Sequence, residues 1–158
     1  MVLNTRRKDM DYRIALKQLI EEYRDGILEI YQVTSPTAMK DAKKLGLFKK
    51  RKFGSYIESF RSHMETAKAL DVDAIEIPET DEESENLVEL LRKSIESFCL
   101  FCDLSIEFYE IAEKKQYKDG GVTVEEYTQA LSQMQRVLMR SFEDLNNLGQ
   151  GYDAFQAS

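Results

Sequence analysis

Histidine, proline, glycine and long apolar runs are all scarce in this sequence of 158 residues. Two prolines and seven glycines supply too little turn chemistry for a many-stranded β-sandwich or barrel. The longest uninterrupted apolar run extends from Phe98 to Cys102, far short of the roughly 20 residues that cross a bilayer. We therefore expect a helical protein with no membrane partner.

The single histidine, His63, leaves little material for metal binding or nucleophilic catalysis. Ferritin-like di-metal bundles need Glu-x-x-His pairs on two helices. Cys99 and Cys102 have the spacing of a redox pair, but such pairs lie at an exposed helix N-terminus, which lowers the thiol pKa. Here they fall in mid-helix beside Phe98 and Phe101, a setting typical of core packing. We therefore expect no metal, no cofactor and no catalytic residue.

Apolar residues recur at helical spacing along nearly the whole chain. The pattern predicts helices over residues 9–32, 36–45, 55–70, 80–116 and 123–148, with an extended crossover over 71–79. Residues 46–54, framed by Gly46 and Gly54, leave open whether the second helical segment is broken in two. We predict an all-α fold, an antiparallel four-helix bundle with five helices if that break exists. It forms one domain over residues 1–158 with a loose N-terminus, 1–8.

Three Ser/Thr-x-x-Glu patterns are typical of the capping box that opens a helix. They are Ser55 with Glu58, Thr80 with Glu83, and Thr123 with Glu126. Gly149 and Gly151 are expected to end the last helix and to leave residues 152–158 as a loose tail. Tyr152 and Phe155 in that tail offer docking in a groove as an alternative.

Charge is divided unevenly along the chain. Residues 1–79 carry 15 basic and 13 acidic side chains, and residues 80–158 carry 7 and 16, for a net charge of −7 overall. This excess of acid favours solubility and opposes indiscriminate binding to nucleic acid. Chains with such an asymmetry often bind themselves, a second copy or a charged partner.

Most of the basic excess lies in what we call the basic segment, residues 43–52. Its cations are Lys43, Lys44, Lys49, Lys50, Arg51 and Lys52, interleaved with apolar and aromatic residues. Cations next to aromatic rings are suited to phosphates and unpaired bases. They are equally suited to an acidic protein surface, or to plain solvent. The acidic second half of the chain weakens the nucleic-acid interpretation because it would repel flanking phosphates.

Four carboxylates recur every seven residues in the longest predicted helix and form what we call the acidic stripe. They are Glu89, Glu96, Asp103 and Glu110. A seven-residue repeat places side chains along one face of a helix. The stripe is therefore expected to be a solvated surface or a docking surface for cations.

These features predict a non-enzymatic helical interaction protein, a small adaptor, regulator or chaperone that binds a protein partner or itself. One alternative is a nucleic-acid-associated bundle that uses the basic segment. Another is an enzyme or small-ligand binder with a cavity between helices, built around Cys99, Cys102, His63, Tyr109 and Tyr127. The N-terminal residues lack the apolar run of an export signal, and two cysteines fit a reducing compartment, so we expect the cytoplasm.

Overall fold

The computed structural model describes residues 11–31, 38–41, 52–117 and 120–157. The long helices are α1 (Tyr12–Glu29), α2 (Gly54–Lys68), α3 (Glu82–Lys115) and α4 (Val124–Ala157), with a 3-10 turn at Val72–Ala74. Within the described ranges the backbone forms no β-strand. The predicted all-α bundle is therefore confirmed.

Part of the predicted second segment can be compared with the structure. Residues 38–41 are helical, in agreement with the predicted helix over 36–45. The loose N-terminus predicted for residues 1–8 and the stretch from 46 to 51 lie outside the described ranges. Both expectations therefore stay predictions.

The helices alternate in direction. The start of α1 contacts the start of α3, where the Tyr12 hydroxyl donates to Asp81 at 2.5 Å, so these two helices are parallel. Contacts between α3 and α4 run in the opposite sense. Phe108 packs on Tyr127, their ring centroids 5.4 Å apart, at one end of this pair, and Leu90 approaches Gly151 at the other.

Helix α2 is likewise antiparallel to α3. Its N-terminal flank, Phe53, stacks on Tyr109 with ring centroids 5.5 Å apart, whereas its C-terminal Ala67 and Lys68 lie beside Cys99. Together these contacts give the up-down-up-down arrangement of an antiparallel four-helix bundle.

Helix α3 is the central element, because its contacts with α2 and α4 are far more extensive than those of any other pair of long helices. Its buried residues include large aromatics such as Phe98 and Phe101 and also serines, which let neighbouring helices approach closely. The buried serine hydroxyls have partners. Ser94 lies 2.8 Å from the Tyr23 hydroxyl of α1, and Ser105 donates to the carbonyl of Phe101 at 2.7 Å. The interior therefore combines apolar packing with satisfied hydroxyl groups.

The capping box predicted for the start of α4 is confirmed. The Glu126 amide donates to the Thr123 side-chain oxygen at 3.1 Å, and the Thr123 amide donates to the Glu126 carboxylate at 3.2 Å. This reciprocal pair satisfies two of the amides that have no partner within the helix.

The capping box predicted at Thr80 and Glu83 is wrong. Asp81 caps α3 by accepting from the Ser84 amide at 3.1 Å. The Glu83 carboxylate instead accepts a hydrogen bond from Arg13 of α1 at 3.0 Å. Glu83, which the sequence pattern assigned to the cap of α3, therefore binds α1 instead.

The capping box predicted at Ser55 and Glu58 is also wrong, because α2 begins at Gly54 without a side-chain cap. Glu58 forms an ion pair with Arg61. The fully buried residue before the helix, Phe53, donates its amide to a carboxylate oxygen of Glu113 at 2.9 Å. The start of α2 is thus fixed by α3.

Helix α4 does not end at Gly149 and Gly151, and the expectation of a loose tail over 152–158 is wrong for the described residues. The helix continues to Ala157, with Tyr152 and Phe155 buried. A Cβ added at Gly151 would lie 2.6 Å from Leu90 Cδ1, so this glycine allows close approach of α3 rather than a stop.

The two aromatic residues near the end of α4 dock on α1. The guanidinium of Arg13 lies 4.2 Å from the centre of the Phe155 ring, and Lys17 lies on the same ring at 5.5 Å. The Tyr152 hydroxyl donates to Glu21, and Arg24 lies 5.6 Å from the Tyr152 ring. These contacts connect the first and last described helices.

Candidate functional site

A surface groove of about 820 Å³, which we call the α2–α3 groove, lies between the end of α2, the 3-10 turn and the middle of α3. Its apolar lining is Ala67, Ala69, Leu70, Val72, Ile95, Cys99 and Leu100. Its charged lining is Lys68, Asp71, Asp73, Arg92, Glu96 and Asp103. The groove therefore joins an apolar floor to a rim that carries more acid than base.

The groove exists because α2 is much shorter than α3. Helix α2 ends at Lys68, and the chain then turns through residues 72–74 with Val72 and Ile75 buried. Beyond this point the outer face of α3 is left without a helix against it on this side. Leu100, on the outer face of α3, keeps 39% of its surface exposed.

The basic side chain Arg92 is engaged by carboxylates on both sides. It forms an ion pair with Asp73, and its Nε lies 3.7 Å from an oxygen of Glu89. The hydrogen bond with Asp73 raises the pKa of Arg92 further. In the part of the chain that the structure describes, Glu96 and Asp103 take part in no ion pair. The rim therefore keeps acidic groups for an incoming cation.

The acidic stripe lies on the exposed face of α3, as the seven-residue repeat predicts. All four members, Glu89, Glu96, Asp103 and Glu110, are exposed. Glu96 and Asp103 lie on the rim of the α2–α3 groove, and Glu89 lies next to it through Arg92. The stripe is thus continuous with the groove.

Only one cation of the basic segment falls in the described residues. Lys52 is exposed, immediately before the buried Phe53. Lys43, Lys44, Lys49, Lys50 and Arg51 lie outside the described ranges. The binding role that the sequence suggests for this segment therefore stays a prediction.

Both cysteines are free, and they lie on the buried side of α3. Burial raises the pKa of the Cys99 thiol, and raises that of Cys102 more strongly. A redox pair needs the opposite shift, since the thiolate is the reactive form. Cys99, 9% exposed, reaches the floor of the α2–α3 groove, whereas Cys102 is fully buried.

The structure does not bring the other residues of the ligand-binding hypothesis to one place. His63 lines a cavity of about 40 Å³ with Gly26 of α1. Tyr109 lies in an aromatic stack, its ring 5.7 Å from Phe60, and burial raises the pKa of its hydroxyl. Tyr127 packs on Phe108 at the start of α4, close enough to Tyr109 to contribute to its raised pKa. Neither tyrosine lines a cavity with His63 or Cys99. Over residues 11–31, 38–41, 52–117 and 120–157, no three His, Cys, Asp or Glu side chains are grouped to hold a metal.

The apolar floor of the groove is the part of the site that sequence reasoning missed. The extended crossover predicted for residues 71–79 contains the 3-10 turn, and its buried Val72 contributes to this floor. The apolar run from Phe98 to Cys102 could have indicated that an apolar side chain is exposed on α3. Five consecutive helical residues surround more than one full turn, so at least one must face outward; Leu100 is that residue.

Three comparisons with known proteins give no relative. No protein-family model matches the chain, and neither a curated protein nor a solved structure matches it significantly. Among the residues described, no helix has the length and apolar character needed to cross a membrane.

Proposed function

We propose that this protein is a non-enzymatic interaction protein, a small cytoplasmic adaptor, regulator or chaperone that binds a partner chain in the α2–α3 groove. The observation that carries the proposal is the combination of an open groove of about 820 Å³ with an apolar floor and an acidic rim. Exposed apolar surface bounded by polar residues often marks a protein-binding site.

The chemistry of the groove supports binding more than catalysis. Burial raises the pKa of the Cys99 thiol in the groove, which disfavours the reactive thiolate. The carboxylates of the groove lie on the exposed rim, where they suit recognition of a cation. Free cysteines agree with the reducing compartment that we propose.

Affinity capture with matched variants tests the proposal. The full chain is used as bait in a cell lysate. Three baits are compared: the wild type, Leu100→Arg in the groove, and Met139→Arg on α4. Both side chains are exposed, Leu100 at 39% and Met139 at 66%, so each change adds one charge to an apolar surface position. We expect proteins retained by the wild type and by Met139→Arg to be lost with Leu100→Arg.

Circular dichroism of each bait confirms that the helices are intact before capture is compared. Equal capture by all three baits would contradict the groove as the binding surface. Absence of any captured protein, combined with a strictly monomeric wild type, would contradict the proposed function as a whole.

A further inference from the structure

The lining of the α2–α3 groove specifies the chemistry of its occupant. Four carboxylates, Asp71, Asp73, Glu96 and Asp103, surround it, against the two cations Lys68 and Arg92. Its floor is apolar, with Leu100 exposed at 39%. A complementary ligand therefore combines several positive charges with apolar side chains in a short stretch.

This chain itself contains such a stretch. Residues 43–52 carry six Lys and Arg, no Asp or Glu, and the apolar residues Leu45, Leu47 and Phe48. We propose that the α2–α3 groove binds the basic segment of a second copy of this chain. The inference rests on the proposed function and deepens it by naming the partner of the same groove.

Chain length argues for a second copy over the same molecule. The flanks of the basic segment are held at the start of α2, where the Tyr56 hydroxyl donates to Asp41 at 2.5 Å and the Phe53 amide donates to Glu113. The groove begins at the other end of α2. From Tyr56 to Lys68, which lines the groove, the distance along the helix axis is about 18 Å at 1.5 Å per residue.

The described residues on either side of the basic segment, Asp41 and Phe53, both make contacts at the start of α2. Because both ends of the stretch from Asp41 to Phe53 lie close together, its midpoint can be at most about 20 Å away from them, even when each half is fully extended. It could bring only its tip to the near edge of its own groove. A second copy has no such limit and can lay several cations along the rim.

Each copy has one basic segment and one groove, so a two-fold pair of copies satisfies both at once. Because attraction between exposed charges is screened by salt, we expect dimerisation to weaken about tenfold or more between 50 and 500 mM salt. A purely apolar dimer contact would not weaken in this way, so the salt dependence distinguishes the two kinds of contact.

Complementation between two defective variants tests the proposal. The segment variant carries Lys49→Gln, Lys50→Gln, Arg51→Gln and Lys52→Gln. The groove variant carries Glu96→Lys and Asp103→Lys, both at exposed positions of α3. The measurement is molar mass by light scattering during size exclusion and by sedimentation velocity, in 50 mM salt.

We expect the wild type to dimerise and each variant alone to be a monomer. An equimolar mixture of the two variants should form a heterodimer that is weaker than the wild-type dimer, because the segment of the groove variant and the groove of the segment variant still make one of the two contacts. A control variant, Asp25→Lys with Glu143→Lys, makes the same charge change at exposed positions of α1 and α4 and should dimerise like the wild type.

A monomeric wild type at 50 mM salt would overturn the proposal, and so would a mixture whose association, measured over a series of protein concentrations, is no stronger than that of either variant alone. Neither result affects the proposed function by itself. That function fails only if Leu100→Arg leaves captured partners unchanged, or if the wild type binds neither itself nor another protein.

Discussion

At the scale of single residues, buried hydroxyl pairs hold α1 to the rest of the bundle. Tyr23 of α1 pairs with Ser94 of α3 at 2.8 Å, and Tyr31, two residues beyond the end of α1, pairs with Ser141 of α4. Burial raises the pKa of both tyrosines, which therefore stay neutral. A buried hydroxyl that loses its partner costs free energy, so these pairs fix which residues of α1 face α3 and α4.

A double-mutant cycle tests the coupling between Tyr23 and Ser94. Tyr23→Phe and Ser94→Ala are each expected to lower the free energy of unfolding by about 1 kcal/mol, because each leaves one buried hydroxyl without its partner. The double variant should lose less than the sum of the two. Urea unfolding followed by circular dichroism measures all four proteins; strictly additive losses would contradict a coupled pair.

Asp81 gives the stability of the protein a dependence on pH. The Tyr12 hydroxyl donates to its carboxylate at 2.5 Å, and the Ser84 hydroxyl donates at 2.7 Å. These hydrogen bonds lower the pKa of Asp81 from an ordinary 3.8 to about 2. The charged form is therefore favoured in the folded state, and its contribution is complete above the unfolded-state pKa.

The expected result is a difference in stability between the wild type and Asp81→Asn that changes with acid. The wild type should have the larger free energy of unfolding at pH 6, and its advantage should shrink as the pH falls from about 4 toward 2. Urea titrations at a series of pH values measure this difference. An advantage that is constant over the whole range would refute the role of the Asp81 carboxylate.

At the scale of helices, the end of α4 packs on α1 and helps to hold it in the bundle. Phe155, 2% exposed, lies under the Arg13 guanidinium, and the Tyr152 hydroxyl donates to Glu21. Helix α1 also contacts α2 and α3, and the last two turns of α4 supply a further part of the surface that buries it. The end of the chain is thus a structural element.

Phe155→Ala should lower the free energy of unfolding by about 3 kcal/mol, because it removes a buried ring and leaves a cavity. Ala154→Ser, at the exposed neighbouring position, is the matched control and should change stability little. Thermal and urea unfolding measure both variants. Equal stability of Phe155→Ala and wild type would mean that the tail is loose, as the glycines suggested.

Helix ends show where sequence patterns succeed and fail. The capping box of α4 could be predicted because Thr123 and Glu126 satisfy each other within one turn. The starts of α2 and α3 could not, since Glu113 and Arg13 come from distant parts of the sequence. The role of Gly151 could not be predicted for the same reason, because its close approach to Leu90 exists only when α3 and α4 lie side by side.

The candidate site was predicted in part. The acidic stripe could be located because a repeat of seven residues fixes one face of a helix. The groove beside it could not, because it results from the unequal lengths of α2 and α3 and from the turn that buries Val72. The apolar periodicity of α2 or of α3 alone does not indicate that a groove lies between them.

At the scale of the whole molecule, a central helix with an acidic outer face lies in a chain whose cations concentrate in one short segment. Residues 80–158 carry 16 acidic against 7 basic side chains, whereas residues 43–52 carry six cations. The α2–α3 groove is where this acidic surface meets exposed apolar residues. The central claim is that the groove is the binding surface of the protein.

Alkylation of Cys99 reports occupancy of the groove most directly, because Cys99 lines its floor at 9% exposure while Cys102 is fully buried. The rate is measured by mass spectrometry on the wild-type chain in 50 mM salt as its concentration rises. We predict that alkylation of Cys99 slows as copies associate and recovers in 500 mM salt. A rate that is independent of concentration, in a protein that demonstrably associates, would contradict the claim.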